Sequence, residues 1–185
     1  MSLPIWFWIT AAVLLFWAVG AYNRLVRLRA GIKQGFASVE AHIRQREMLL
    51  AQWLGACSDI LGAGADRAEV HTVSAARGAC VQVIAAVDHA RVAPTGPQAI
   101  ASLRLAEEVL IGARGRLSTA LAVHARANLV GDVVMRTDEL AAVDGALGFA
   151  RSQFNESVQV YNDAAIQFPT WVVAGLFGFR AAGLL

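Results

Sequence analysis

The sequence predicts an all-α protein: an N-terminal transmembrane helix followed by an antiparallel up-down four-helix bundle with a long first helix. Three observations predict it. Residues 3–21 carry no charge over about the length that crosses a hydrocarbon core of roughly 30 Å. Beyond them, apolar residues return in steps of three, four and seven, the period of a helical seam. The strong turn signals are few and divide the rest of the chain into four segments. The apolar fraction of 57%, above the roughly 45–50% of soluble domains, agrees with a chain that meets lipid.

The anchor is predicted at residues 1–21. Trp6 and Trp8 lie near one end and Trp17 and Tyr22 near the other, as in the aromatic belts at headgroup level. Val19-Gly20-Ala21 would pass as a signal-peptide cleavage site, but no basic stretch precedes the apolar run, so it is read as a retained span. No side-chain charge precedes the span, whereas Arg24, Arg27, Arg29 and Lys33 follow at once. That asymmetry predicts a single-pass protein with its N-terminus outside and its bundle in the cytoplasm. The same arginines are suited to hold anionic headgroups.

The bundle is predicted over residues 22–168. Its first helix, residues 22–61, places Tyr22, Leu25, Ile32, Phe36, Val39, Ile43, Leu50 and Trp53 on one seam. Arg29 and Arg46 fall on that seam too. Each must run its aliphatic stem out to water or find an acceptor inside the bundle, such as Asn162, Asp144 or Glu139 on the facing helix. Gly62-Ala63-Gly64-Ala65-Asp66 reads as a glycine stop followed by a capping aspartate. A second helix is predicted over residues 67–92, ended by Pro94-Thr95-Gly96-Pro97. The third carries Ile100, Leu103, Leu110, Leu117, Leu121 and Val123 and fades at residues 128–132. The fourth opens near Thr137, with Leu140, Leu147, Phe154, Tyr161 and Phe168 recurring every seven residues and Val158 and Ala165 between them. Pro169 ends it. Residues 169–185 are apolar but too short to span, and are predicted to lie on the bilayer or to close the base of the bundle.

Two segments carry a resemblance. Tyr22-Asn23-x-Leu25-Val26-x-Leu28-Arg29, just after the anchor, resembles the opening signature of the LemA family. Ala150-Arg151-x-x-Phe154-Asn155-x-x-Val158-x-x-Tyr161-Asn162, with Phe168-Pro169, Ala174 and Gly178-Phe179, resembles that family's second block. The resemblance implies a bacterial membrane-anchored helical bundle without a well-defined biochemical role. Two departures stand out. Arg46 leads into Glu47-Met48-Leu49-Leu50-Ala51-Gln52-Trp53 where the family tends to have an Asp-Leu-Ile-Pro-Asn-Leu-Val run. The chain also stops soon after Gly178-Phe179, where many members continue into a tail.

Asn155 and Asn162, each next to a seam aromatic, form with Arg151 a polar stripe beside the core, read as a hydrogen-bonded register device or a ligand site. For metal or acid–base chemistry the candidates are His42, His71, His89, His124, Cys57 and Cys80, and no two stand at a helical ligand spacing. Folding the first two helices back near Ala63 sets Cys80 level with Glu47 and about 15 Å from Cys57 along the axis, which excludes a disulfide. Adjacent Glu107 and Glu108 point about 100° apart and read as solvated face. No nucleophile elbow, phosphate-cradling loop or aromatic–basic platform occurs, and the net charge of +2 is spread along the chain, against nucleic-acid binding.

The expected function is therefore that of a membrane-anchored interaction or scaffold protein, not an enzyme, needing no cofactor. Its expected partners are the bilayer and either another protein or a second copy of itself, since Ala11, Ala12, Ala18, Gly20 and Ala21 allow close packing of anchors. The alternatives are a metal or ligand site in which His42, His89 and a carboxylate converge, or remodelling of the bilayer by the C-terminal segment.

Overall fold

In the computed structural model the described residues are 4–61, 67–124 and 131–185. The glycine turn expected at 62–66, and residues 128–130 of the expected interruption before the fourth helix, lie outside them. Five helices follow in order: α1 (Ile5–Leu61), α2 (Arg67–Val92), α3 (Pro97–His124), α4 (Gly131–Ile166) and α5 (Thr170–Phe177). The architecture is all-α, a helical bundle carried on a long apolar N-terminal helix.

The anchor and the first bundle helix are one element. α1 runs 57 residues without a break, about 86 Å at about 1.5 Å per residue. Its apolar seam starts abruptly: Ala21, Leu25, Ile32, Phe36, Val39, Ile43, Leu50, Trp53, Leu54 and Cys57 are buried. Before Ala21, the described apolar side chains from Ile5 onward are exposed, save partly buried Ala18. Two helices are long and apolar enough to cross a membrane. In the apolar window of α1 6% of residues are buried, against 28% in that of α2, which packs on α1 and α3 instead.

α4 lies antiparallel on α1, and its register is pinned along the whole pair. Arg136 donates to Gln52 at 2.6 Å, Arg46 and Asp144 approach to 3.9 Å, and the rings of Phe36 and Phe154 meet edge to face at 6.0 Å. α2 runs antiparallel on another side of α1, marked by Arg44–Asp88 at 2.6 Å and by Arg77 donating to Ser58 at 3.0 Å. Between α2 and α3 the chain reverses through a turn closed by Gly96 N–H to Ala93 O (2.8 Å), with Pro94 at the position that needs its fixed φ and Pro97 opening α3 where a missing N–H costs nothing. Among the described residues α3 and α4 bring no Cα atoms within 8 Å of each other, so the bundle has one open seam.

Two expectations shift. α4 begins at Gly131, about two turns before Thr137, because glycine and polar residues that would break a helix interior are tolerated in its first turn. The seven-residue seam of α4 ends at Tyr161: Phe168 lies past the last helical residue and is 82% exposed. Phe154, fully buried against Phe36, therefore differs energetically from Phe168. Phe154→Ala is expected to cost about 3–5 kcal/mol and Phe168→Ala less than about 0.5 kcal/mol, as read by urea denaturation of the protein in micelles.

Candidate functional site

The base of the bundle lies where the bare part of α1 ends. Tyr22 packs on Phe177 at 5.0 Å and on Phe179 at 5.7 Å between ring centroids, which lays α5 across α1 at that level. Thr170, Val173 and Ala174 face inward, while Phe168, Trp171, Leu176 and Phe177 face out. Exposed Arg24 and Arg27 stand at the same level, with exposed Arg29 and Lys33 two and three turns above Tyr22 on α1. Of the predicted interface residues, Trp6, Trp8 and Trp17 stand on the bare segment, and Trp171 joins Tyr22 at the base. Asn23 is exposed and Leu28 partly buried.

From α5 the chain turns upward. Gly178 takes a left-handed conformation (φ 70°), and Phe179 N–H returns to Ala174 O at 2.9 Å, the Schellman closure of a helix end. Residues 180–185 then run extended along α4, held by side chains of that helix. Tyr161 donates its hydroxyl to Arg180 O (3.0 Å). Asn162 accepts from Ala182 N–H (2.8 Å) and donates to Ala182 O (3.1 Å). Asn155 does the same for Leu185, at 2.9 and 2.8 Å. The two-residue match is geometric: two helical turns rise about 10.5 Å, and three extended residues about 10 Å. Each primary amide thus satisfies both polar groups of one main-chain residue that has no other partner in a sheet or helix. Gly183 sits where a Cβ would come within 2.9 Å of Pro97 Cα. The tail therefore fills the lower half of the open α3/α4 seam. The stripe of Asn155 and Asn162 is a register device, but for the chain's own tail, an acceptor pattern that main-chain atoms do not reveal in a sequence.

One turn above Asn155 the seam becomes charged. Arg46, 3% exposed, forks onto Glu107 with Nη2–Oε1 at 2.6 Å and Nη1–Oε2 at 2.8 Å, and Nη2 also reaches Glu47 at 3.1 Å. Arg151 closes on Glu107 Oε2 at 2.8 Å, and Arg114 bonds Asp144 at 3.0 Å. Of the two seam arginines, then, Arg46 is buried and paired while Arg29 is exposed. Asp144, one of the acceptors foreseen, lies at the edge of the cluster; the principal acceptor is Glu107. Its reading as solvated face is corrected: Glu107 is 3% exposed, and only Glu108 faces water. Its position was legible in retrospect, because residue 107 completes the step between Leu103 and Leu110 on the α3 seam.

Burial would raise the pKa of Glu107, but the hydrogen bond and charge of Arg46, with those of Arg151, hold it below the ordinary carboxylate range. Burial pushes Glu47 up, and Arg46 only partly offsets it. Glu47 faces α2, where it meets Cys80, so the predicted level of Cys80 is found. Burial raises both free thiols to about 12, with the negative charge of Glu47 adding to the effect at Cys80. Neither is a thiolate nucleophile at neutral pH. His42 bonds Ser38 O at 2.8 Å within its own helix, and His71 and His89 are exposed; the side chain of His124 is not among those described. Among the described residues no group of three or more His, Cys, Asp or Glu is placed to hold a metal.

Removing Glu107 leaves two guanidinium groups facing each other. Glu107→Gln is expected to cost about 3–5 kcal/mol near neutral pH, against less than about 0.5 kcal/mol for Glu108→Gln. Since its folded pKa is lowered, the contribution of Glu107 is present above the ordinary value of 4.5 and lost as the pH falls through the folded value. Denaturation curves of the Gln variant and the parent should therefore converge in acid. For the tail, Gly183→Ala is expected to raise amide exchange over residues 180–185 at least tenfold while leaving α1 and α4 protected, as read by hydrogen-exchange mass spectrometry.

A family model described as the LemA family matches residues 68–185. The match takes in α2 to α5, the tail and the block from Ala150 to Phe179, and begins after Tyr22–Arg29. No curated protein matches the chain by sequence.

Proposed function

The chain belongs to the LemA family, and from that premise we propose that it is a membrane-tethered helical scaffold with no catalytic activity of its own. The observation that carries this reading is the continuity of α1. Its first four turns and more are apolar and bare of protein, and the same helix becomes the spine of the bundle. A rigid link of this kind fixes the height and tilt of the bundle relative to the bilayer, which a flexible linker would not do.

The underside supports the same reading. Phe168, Trp171, Leu176 and Phe177 form an apolar collar beside the exit of the span, flanked by Arg24 and Arg27. Such a collar suits the acyl–headgroup boundary, with the arginines among anionic headgroups. The excess of basic side chains after the span favours a bundle on the cytoplasmic side of a bacterial inner membrane, N-terminus outside. Away from the membrane, α2 and α3 expose Val70, Val81, Leu105 and Ile111, apolar side chains suited to docking a protein partner or a second copy.

In-cell crosslinking of the full chain, with a variant lacking residues 1–21 as control, tests the proposal. The full chain is expected in the membrane fraction, with self-crosslinks or one reproducible protein partner that disappear when the anchor is removed. Recovery of the intact protein alone and monomeric would sink the scaffold reading.

A further inference from the structure

Segments far apart in the sequence bring charge of one sign to the base of the bundle. Residues 1–39 contain Arg24, Arg27, Arg29 and Lys33 and no Asp or Glu; residues 164–185 contain Arg180 and no Asp or Glu. The turn between α2 and α3, residues 93–96, has no charged side chain. With a net charge of only +2 over the whole chain, this excess is local.

The fold gathers three of these cations around a cleft of about 380 Å³, within the size range of small-molecule sites. Arg29 and Lys33 of α1 form one side, the α2–α3 turn a second and the chain around Arg180 a third, with Tyr161 of α4 among them. Arg29 and Lys33 stand one turn apart, their Cβ atoms about 5–6 Å from each other. Tyr161 ties the remaining side to them. Its hydroxyl donates to Arg180 O at 3.0 Å, and the charge of Arg29 partly offsets the rise in pKa that burial gives that hydroxyl. Arg29, Lys33 and Arg180 are all exposed, so a solute in the cleft can reach them.

No carboxylate lines the cleft, and among the described residues none pairs with Arg29, Lys33 or Arg180. The carboxylates closest to the lining in sequence are engaged or turned away. Glu40 and Asp88 bond Arg44 at 2.9 and 2.6 Å, and Asp163 lies about 200° round α4 from Tyr161. Helix ends leave the balance unchanged, because the last carbonyls of α2 and the first N–H groups of α3 meet at the same turn, each worth about half a charge of opposite sign.

Three positive charges around one space fit an anion with more than one charge and several acceptor oxygens. A phosphate monoester carries about −1.5 to −2 near neutral pH on three terminal oxygens, and arginine forks onto such oxygens while lysine adds a point charge. Arg29 and Lys33 also border a second cleft, of about 440 Å³, that reaches down α1 to Val26 and Tyr22 beside Phe177 and Phe179. Side chains on a helix lean towards its N-terminus, which on α1 is the apolar segment. An ester whose organic part lies along Tyr22 and Phe177 would thus present its phosphate to the cations above.

We propose that the cleft bounded by Arg29, Lys33 and Arg180 binds the phosphate group of a phosphate monoester, borne by a lipid of the surrounding bilayer or by a free small molecule. The lipid source rests on the membrane tether proposed above; the phosphate chemistry does not.

The test uses the full chain in nanodiscs that contain phosphatidylcholine, phosphatidic acid and palmitate in equal amounts. Native mass spectrometry of the released protein reads which lipid stays bound, and calorimetry reads binding of glycerol 3-phosphate, with acetate as control, in nanodiscs of phosphatidylcholine alone. Retention of one phosphatidic acid per chain in preference to both other lipids, or one-site binding of glycerol 3-phosphate and not acetate, is expected. The first assigns a lipid and the second a free ester. Arg180→Gln, which keeps the main-chain bond from Tyr161, and Arg29→Gln should each weaken that binding about tenfold or more, whereas Arg104→Gln, the same charge change on the exposed face of α3, should alter it less than about twofold. Membrane fractionation of the same variants reads the tether separately. Palmitate retained as well as phosphatidic acid with no binding of glycerol 3-phosphate, no binding of either phosphate, or equal losses in Arg24→Gln and Arg180→Gln would overturn the proposal.

Discussion

The unbroken course of α1 is the constraint on which the other elements depend. α2, α4 and α5 each pack on it, and Arg46, which organises the charged cluster, projects from its middle. A helix has one set of dihedrals and one rise, so the level of every side chain on α1 follows from its number. Leu25 near the base, Phe36 in the lower core, Arg46 at the cluster and Trp53 near the top are therefore at fixed heights above the bare segment. Glycine at 20, 31, 35 and 55 does not interrupt it, because packing of its seam outweighs the propensity cost of about 1 kcal/mol for each glycine.

Four helices around that spine do not close on themselves. α3 is joined to α2 by a tight turn and reaches α4 through long charged side chains, and among the described residues no Cα atoms of α3 and α4 come within 8 Å of each other. Below, the seam holds the extended tail, whose main chain is satisfied by Asn155, Asn162 and Tyr161. Above, it holds the fork of Arg46 on Glu107 with Arg151 behind it. The buried ion pair by itself adds little net stability, since desolvation of its charges offsets their attraction. What it does is specify: only one helix pairing puts a carboxylate between those two guanidinium groups.

The same arrangement runs from the membrane end of the molecule to the charged cluster at Arg46 and Glu107. α5 rests against Tyr22 at the base, Gly178 reverses the chain, and the tail carries that position up the seam to Asn155, one turn below Arg151. Residues 180–185 are fastened to α4 at three points. Within the block that runs from Arg151 to Phe179, Asn155, Tyr161 and Asn162 join the end of the chain to the fourth helix, while Arg151 ties that helix to α3 through Glu107.

By itself the sequence determined the all-α class and the succession of long helices, though not the start of α4 or the helix and tail that follow Pro169. An uncharged apolar run long enough to span, seams at helical period, one glycine–aspartate signal and one proline–glycine signal leave only helices, and α2 was legible to its last residue because Pro94 forbids its continuation. The seam of α4 was legible as far as Tyr161. Which charged residue lies inside was not. Arg29 and Arg46 stand on the same stripe, but the neighbours that decide between water and burial come from α3 and α4, distant in sequence. Glu107 and Glu108 look alike in composition, and a rotation of about 100° separates a buried pair from a solvated carboxylate. The partners of Asn155 and Asn162 are main-chain atoms, which every residue possesses and no residue type announces. The fold follows from periodicity, which is local. The open seam, the charged cluster within it and the tail that fills half of it depend on which surfaces meet, and only the tertiary structure decides that.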